Sequence, residues 1–455
     1  MTEKIESQII DLSIQEESIA YKKVQLTDLS KDFIGQKICT FGWVITCRTT
    51  KAGMFIDLYC GFKTIKCLYP REFEHKSISK WTSLTIYGEV KENYKHSKDS
   101  SEFEVHIDRM EIFGGKQSPP FPINNETLPF VKLEKGHLNL RTEERIFFLK
   151  ARSCLMRHFR DFYYKNNYIE ITPPTIVKTQ VEGGSTLFNL KYYGSDAYLT
   201  QSSQLYLETV VPVTQKAYCI MPSYRAEKSN TTRHLSEYTH VEAELADLNF
   251  SDLLDSIEKL VSYVISKFYE EMRKDILILN PNFEFLKVVE KPFKRIRYTD
   301  AIEFLRNMKY LKEDGTEFVC GDDIPDAGER FLVEKYGEGL PVFLTHFPVS
   351  FKPFYMRKED EDNTFTESCD LLFPGIGEIL GGSMRCEKHS ELIEGFKREK
   401  IDTENYFWYT DLLLYGPFRH GGYGLGFERL LMGLMRWESV NKACLYPRFL
   451  TRCAP

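Results

Sequence analysis

The sequence predicts a mixed α+β chain, with a small closed β-barrel followed by one large domain of interspersed strands and helices. Three observations predict it. Five short segments of strict alternation crowd into about 75 residues near the N-terminus. An apolar stripe of helical period follows and runs up to Pro173-Pro174. Near the other end, the glycine-rich run Gly421–Gly426 leads directly into Leu430-Leu431-Met432.

At 455 residues the chain has room for two to four domains. Its 42% hydrophobic and 28% charged residues are ordinary for a globular protein, and 14% aromatics exclude a disordered one. No run of 18 apolar residues exists, so no membrane-spanning helix is expected. The net charge of −6 gives no global reason to expect a polyanion partner. Residues 37–117 are the one net-positive block, and nucleic-acid contact is sought there first. The 11 cysteines include no C-x-x-C pair, which argues against a zinc ribbon or a disulfide scaffold. Reduced thiols and an acidic first 18 residues point to the cytoplasm rather than to an organelle.

Residues 1–36 read as a polar N-terminal extension with a short helix near Val24–Phe33. In residues 37–117, Cys39, Phe41, Trp43, Ile45 and Cys47 alternate with smaller or polar neighbours. Met54, Ile56 and Leu58 do the same, as do Ile65 and Cys67, then Leu84, Ile86 and Val90, then Phe103, Val105 and Ile107. Three strands, a longer polar connection and two more strands suit a five-stranded OB-fold. Residues 118–140 read as a linker, because Gly114–Pro122 (GGKQSPPFP) breaks every regular pattern. Residues 141–455 then form the large domain, opened by a helix carrying Phe148, Leu155, Phe159 and Phe162. Neither Pro173 nor Pro174 can donate a backbone N–H, so that helix stops before them.

Three constellations carry chemistry. Tyr224-Arg225-Ala226-Glu227 precedes a polar loop with Arg233-His234-Leu235, and a returning strand places His240, Glu242 and Glu244 on one face. A guanidinium suits bidentate phosphate contact and Glu227 can accept from an exocyclic amine, although the same charges also suit a solvated edge hairpin. Glycines before the helix starting near Phe427 expose free N–H groups to a ligand. That run equally makes a tight strand-to-helix turn in which Glu428 and Arg429 pair. Asp370 and Glu378 flank an apolar, glycine-containing turn and could hold Mg²⁺ against a triphosphate, or be structural.

In order, these pieces resemble motifs 1, 2 and 3 of the class II aminoacyl-tRNA synthetases. The helix ending at Pro174 is similar to motif 1, Arg225-Ala226-Glu227 to motif 2 and Gly424–Arg429 to motif 3. An N-terminal OB-fold matches the aspartyl, asparaginyl and lysyl subgroup. Val181–Phe188 (VEGGSTLF), Leu199–Glu208 (LTQSSQLYLE), Arg233–Glu244 (RHLSEYTHVEAE), Gly377–Arg385 (GEILGGSMR) and Leu445–Pro455 (LYPRFLTRCAP) all resemble the cytosolic asparaginyl branch. Asp370 and Glu378 have seven residues between them, against one fewer in aspartyl enzymes, which also carry a lysine at Leu207. The resemblance implies a class II antiparallel-sheet catalytic domain flanked by helices.

It also implies roles. Arg225 bridges the amino-acid carboxylate and the α-phosphate of ATP. Arg233, His234 and Arg429 hold the outer phosphates; Glu227 reads the adenine amine and Tyr238 stacks near the ring. Leu235, Gly426, Phe427 and Glu428 complete the ATP site, and Asp370 and Glu378 hold Mg²⁺. For L-asparagine, Glu182 meets the α-ammonium, Ser185 lies on a closing loop, and Gln201 and Gln204 line the pocket. Glu208 and Arg385 address the carboxamide. Arg48, Phe55 and Lys66 face the anticodon of tRNA(Asn), Phe55 being equally suited to the barrel core. Lys66 departs from the family's usual glutamine, and Gly381 from the serine of aspartyl enzymes. A homodimer packed through motif 1 is implied, with Phe148, Leu155 and Phe159 as its apolar stripe. An aspartyl enzyme, a tRNA-independent asparagine synthetase and a non-catalytic tRNA-binding paralogue are the competing readings.

Overall fold

Alternation in residues 37–112 does build a barrel. The computed structural model describes residues 21–454 except 52, 71–77, 94–101, 114–120, 184–185, 229–230, 287–291 and 360–362. After a two-residue edge strand β1 (Lys22–Lys23) come β2 (Lys37–Thr49), β3 (Gly53–Cys60), β4 (Lys63–Pro70), β5 (Ser83–Glu92) and β6 (Phe103–Ile112). Their order β2-β3-β4-β6-β5 closes through a β2–β5 ladder, which leaves the five strands without a free edge.

The phase of β2 differs from the sequence expectation. Ile38, Thr40, Gly42 and Val44 point inward, while Phe41 is 37% exposed and stacks edge-on with Trp43 and Phe113. Gly42 explains the choice: a Cβ there would lie 2.7 Å from Leu58 Cγ, so the glycine makes room for a core leucine. The expected helix near Val24–Phe33 is instead two single 3₁₀ turns, Leu26–Asp28 and Lys31–Phe33. Val24, Leu26 and Leu29 between them plug the barrel core, a burial that a continuous helix would not allow. Of the expected linker, residues 118–120 lie outside the described ones, as do residues 114–117 before it and residues 1–20 of the extension. Residues 129–139 form the short helices α1 (Pro129–Glu134) and α2 (Gly136–Asn139).

A second compact unit begins at Glu143. Its opening helix α3 (Glu143–Lys165) ends well before Pro173, with Asn167 turning the chain in a left-handed conformation. Phe148, Leu155 and Phe159 are fully buried within the chain, in the core they share with the long helix α5 (Phe250–Leu279). The stripe is thus already covered and is not free to meet a second subunit. An Asn249–Asp252 capping box starts α5.

Eight strands make the sheet beneath these helices. They are β7 (Ile169–Glu170), β11 (Lys216–Tyr224), β12 (Glu237–Ala246), β13 (Lys294–Arg297), β14 (Val342–Thr345), β15 (Ser368–Phe373), β16 (Gly377–Met384) and β17 (His420–Gly426). The order is β13-β14-β15-β16-β17-β12-β11-β7, antiparallel except for the parallel outer pairs β13–β14 and β11–β7. A small sheet of β8 (Ile176–Val177), β9 (Asn189–Tyr192) and β10 (Ser195–Leu199) stands apart. Helices α4 (Gln204–Thr214), α6 (Tyr298–Asn307), α7 (Asp326–Lys335), α8 (His389–Glu399), α9 (Phe407–Leu414) and α10 (Phe427–Met435) belong to the same unit.

Candidate active site

The three constellations meet on the sheet because β12, β16 and β17 are neighbours. Glycine is what lets them approach. Gly422 pairs with Glu244 in register, and a Cβ at Gly422 would lie 2.1 Å from Glu244 Oε1. A Cβ at Gly424 would lie 2.3 Å from His240 Nε2. These glycines therefore sit inside a strand and clear space for side chains of the adjacent one, rather than presenting free N–H groups ahead of a helix.

A cleft of about 610 Å³ opens over the sheet, lined among others by Glu182, Gln204, Arg225, Lys352, Asp370 and Arg385. Arg225 reaches Glu182 at 2.6 Å and lies 3.9 Å from Glu227, with its guanidinium 5.6 Å from the Tyr238 ring centre. Burial alone would pull its pKa down; the surrounding Glu182, Tyr238, Glu378 and Glu227 outweigh that and raise it. A smaller adjoining cavity is lined by Glu227, Arg233, His234, Leu235, Tyr238, Glu378, Gly426, Glu428 and Arg429. Arg233 donates to the Ile376 carbonyl at 2.8 Å and pairs with Asp326 and Glu329 at 2.7 and 3.3 Å. His234 lies 3.4 Å from Glu227, and burial lowers its pKa. Glu428 and Arg429 do not pair with each other. Glu428 accepts from Arg152 and from the Thr239 backbone N–H, both at 2.9 Å, while Arg429 pairs with Glu378 at 3.2 Å.

Asp370 and Glu378 occupy adjacent strands, with Gly381 between them. A Cβ at Gly381 would sit 3.5 Å from Asp370 Oδ1 and 3.6 Å from Glu378 Oε1, so both carboxylates converge over it. Lys352 donates to both oxygens of Asp370 at 3.0 Å; the sequence reading did not single it out. Burial pushes the Asp370 carboxyl up to about 6 against the pull of Lys352, with Glu378 adding repulsion. Glu378 is opposed by burial too, but Arg429, Lys352, Arg225 and Arg233 hold it below its ordinary value. Paired hard carboxylate oxygens fit a divalent cation such as Mg²⁺.

At the cleft floor the expected carboxamide pair is rearranged. Neither Glu208 nor Glu244 lines the cleft, and each has both oxygens occupied, those of Glu244 by Arg385. Glu208 accepts from Gln204 at 2.9 Å, Tyr409 at 2.8 Å and His420 at 2.9 Å. The other ring nitrogen of His420 faces the Phe418 carbonyl at 3.0 Å. Both nitrogens thus face acceptors, the pattern of an imidazolium, and Glu208 raises the His420 pKa despite burial. Arg385 instead pairs with Glu244, Nε to Oε2 at 3.2 Å, and donates to Ser383 at 2.7 Å, while Glu208 stays 3.9 Å away. Part of the signal for Glu244 was in the sequence, since it shares a strand face with Glu242; that it stands opposite Gly422 follows only from the strand register.

Several other expectations resolve differently. Gln201 does not line the cleft; it accepts from the Val181 and Glu182 N–H groups at 3.0 Å and donates to Thr186 at 2.7 Å. The Phe427 side chain points into the core, packed on Phe159 and Arg152, because it starts the buried face of α10. Leu207 packs in an apolar cluster with Val211, Ala217 and Cys219 and does not line the cleft. Ser185 lies outside the described residues. On the barrel, Arg48, Phe55 and Lys66 line one cleft, and Phe55 is 42% exposed, so it is not core.

A model of the class II tRNA synthetases (D, K and N) matches residues 129–450. A probable cytoplasmic asparagine–tRNA ligase of Encephalitozoon cuniculi is 57% identical over all 455 residues, covering 100% of both chains. The chain belongs to the asparagine–tRNA ligase family. Solved structures agree. The Entamoeba histolytica asparaginyl-tRNA synthetase in complex with asparaginyl-adenylate superposes with a TM-score of 0.86 at 37% identity, covering 96% of this chain and 99% of that one. The Pyrococcus horikoshii asparaginyl-tRNA synthetase, also with asparaginyl-adenylate, gives 0.87 at 32% identity, covering 95% and 100%. The ligase fold therefore extends over both units, with a barrel and a catalytic domain in each protein. Among the described residues, no helix is long and apolar enough to cross a membrane.

Proposed function

We propose that this ligase activates L-asparagine with ATP, releasing pyrophosphate, and passes the asparaginyl group to the 3′ end of tRNA(Asn) in the cytoplasm. The observation that carries the amino-acid choice is the buried Arg385–Glu244 pair at the cleft floor. Arg385 lines the cleft and can donate to an amide carbonyl, and the pair matches a carboxamide at both ends once one Glu244 oxygen turns from Arg385 to the amide NH₂. An aspartate carboxylate brings no NH₂ and meets the Glu244 charge instead.

Arg225 lies between the amino-acid end of the cleft and the phosphate end. In our reading, Glu182 leaves Arg225 for the substrate's α-ammonium. The freed guanidinium then meets the asparagine carboxylate and the α-phosphate, stabilising the charge of the pentacovalent state. Arg233, His234 and Arg429 hold the outer phosphates, Glu227 accepts from the adenine amine, and Tyr238 supports the ring. Asp370 and Glu378 fit Mg²⁺, which when bound neutralises the leaving pyrophosphate. No residue acts as a nucleophile; the chain holds two substrates in line and excludes water.

Arg48, Phe55 and Lys66 form the proposed anticodon face, where exposed Phe55 offers a stacking surface worth ~1–3 kcal/mol per base. The chain is proposed to act as a homodimer. Edge strand β7, exposed Ile169 and exposed Ile176 flank Pro174 and support this, in place of the covered α3 stripe. ATP–pyrophosphate exchange with asparagine, aspartate and lysine tests the central reading. Exchange with asparagine alone is expected, and equal exchange with aspartate would overturn it.

A further inference from the structure

Away from the cleft, the packing of α3 against α5 assembles three metal-ligating side chains. Cys154 and His158 are four residues apart on α3, so they share one face. Glu271 of α5 faces both. One ligand atom from each of the three lies within 4.8 Å of the others. His158 Nε2 is 3.1 Å from Glu271 Oε2, and the Cys154 thiol also bonds to Glu271. The arrangement uses nothing from the substrate cleft.

We propose that Cys154, His158 and Glu271 form a binding site for a borderline divalent metal of the Zn²⁺ type. The donor set is one sulfur, one imidazole nitrogen and one carboxylate oxygen, which selects such an ion over Mg²⁺ or Ca²⁺. In tetrahedral zinc the ligand atoms stand ~3.3–3.8 Å apart, from bonds of about 2.0–2.3 Å. A contraction of about 1 Å at the widest pair, within the reach of side-chain rotation, therefore closes the site. Glu271 lies at the solvent edge, its side chain 42% exposed, which leaves the fourth position to water.

The surroundings support the assignment. His158 is only 6% exposed, yet its Nδ1 has no hydrogen-bond partner. That nitrogen faces Asp161 Oδ2 at 3.7 Å, while Nε2 faces the cluster. A carboxylate behind a histidine whose other nitrogen meets the metal is the usual outer arrangement at zinc centres. Arg157 donates to both Glu271 oxygens at 2.6 Å, fixing the carboxylate from behind. The metal and Arg157 compete for the same oxygens, so one of these bonds yields on binding. Binding also breaks the Cys154 S–H bond, forms a metal–sulfur bond and releases the proton to solvent. The product pins α3 to α5, two helices that share the core behind the sheet.

Cobalt provides the test. Full-length protein titrated with Co²⁺ is expected to show, at one equivalent, a thiolate-to-metal band in the near ultraviolet. Cys154→Ser should abolish that band and Cys320→Ser, at an exposed cysteine elsewhere, should leave it. Zinc affinity, read by competition with a chelating dye, should fall at least tenfold in Glu271→Gln and about tenfold in Asp161→Asn. No band at one equivalent, or a band that survives in Cys154→Ser, overturns the site. Pyrophosphate exchange reports whether each variant is folded. Should Cys154→Ser not fold, Glu271→Gln decides at the solvent edge: zinc affinity within twofold of the parent refutes the proposal.

Discussion

The ammonium of Lys352 lies 3.0 Å from both carboxylate oxygens of Asp370, on the spot where the paired carboxylates are open to a cation. Protein and metal therefore compete for one group. Replacing the lysine with methionine removes the competitor and keeps the length of the side chain. Lys352→Met is expected to lower the Mg²⁺ concentration for half-maximal pyrophosphate exchange by about tenfold. It should also lower Tm, because Asp370 is left buried without its partner. An unchanged Mg²⁺ dependence would show that the two cations occupy separate places.

Arg225 is tied to the hairpin by its backbone, its N–H donating to the Ser236 carbonyl at 3.0 Å, so removing the side chain leaves the strand geometry in place. Arg225→Ala is expected to slow adenylate formation by about 10³-fold or more, while tRNA binding stays near the parent value. Pyrophosphate exchange and a filter-binding titration separate the two. Exchange within a few-fold of the parent would remove Arg225 from the reaction.

Glu208 and Glu244 make a paired test: both are buried behind the cleft, but Glu244 bonds directly to the cleft-lining Arg385, whereas Glu208 stays 3.9 Å from it. Glu244→Gln should erode the preference for asparagine over aspartate. Glu208→Gln should cost roughly 3–5 kcal/mol of stability, through the His420 pair it breaks, and leave the preference intact. Thermal melts and exchange assays with both amino acids decide. If the two effects came out reversed, Glu208 would be the reader of the carboxamide.

Leu207 is expected to be intolerant of charge whatever the substrate. Leu207→Lys buries an ammonium among Val211, Ala217 and Cys219, at a cost of roughly 3 kcal/mol or more. Loss of soluble protein or a sharply lower Tm is expected. A stable variant with altered amino-acid choice would place Leu207 in the pocket after all.

Acid should relax the specificity. Burial pushes the Glu244 carboxyl up to about 7, Arg385 opposing and Glu208 reinforcing the shift. Because the folded value is raised, the protonated form gains as pH falls through about 7. That form offers an O–H to an aspartate carboxylate in place of a charge. The asparagine-to-aspartate ratio in pyrophosphate exchange is expected to drop by up to about tenfold between pH 8 and pH 6. A ratio constant over that range would mean that Glu244 stays ionised or lies outside the site.

Much of the catalytic machinery was legible as motifs. Arg225, Glu227, Arg233, His234 and Arg429 stand in short, chemically unusual strings, and the fold brings them to one pair of adjoining cavities. What misled the sequence reading were residues whose neighbours in the chain are not their neighbours in space. Leu207 and Glu208 are consecutive on α4 and meet different surroundings, one an apolar cluster and the other a polar network. Phe41 and Trp43 looked like core by hydrophobicity, yet Gly42 between them lies on the face that packs against Leu58.

The sequence by itself determined the barrel's five strands, the stop of α3 before its prolines and the side chains able to handle a phosphate. Period and residue type are local properties, and backbone geometry obeys them wherever a segment ends up. Only the tertiary structure decided which carboxylate meets Arg385, that Lys352 covers Asp370 and that Cys154, His158 and Glu271 come together. These depend on register between strands and on helix-to-helix packing, which join segments 18 to 141 residues apart in sequence. A charged group in a buried site takes the partner that geometry supplies, since leaving it unpaired costs more than any local preference can offset.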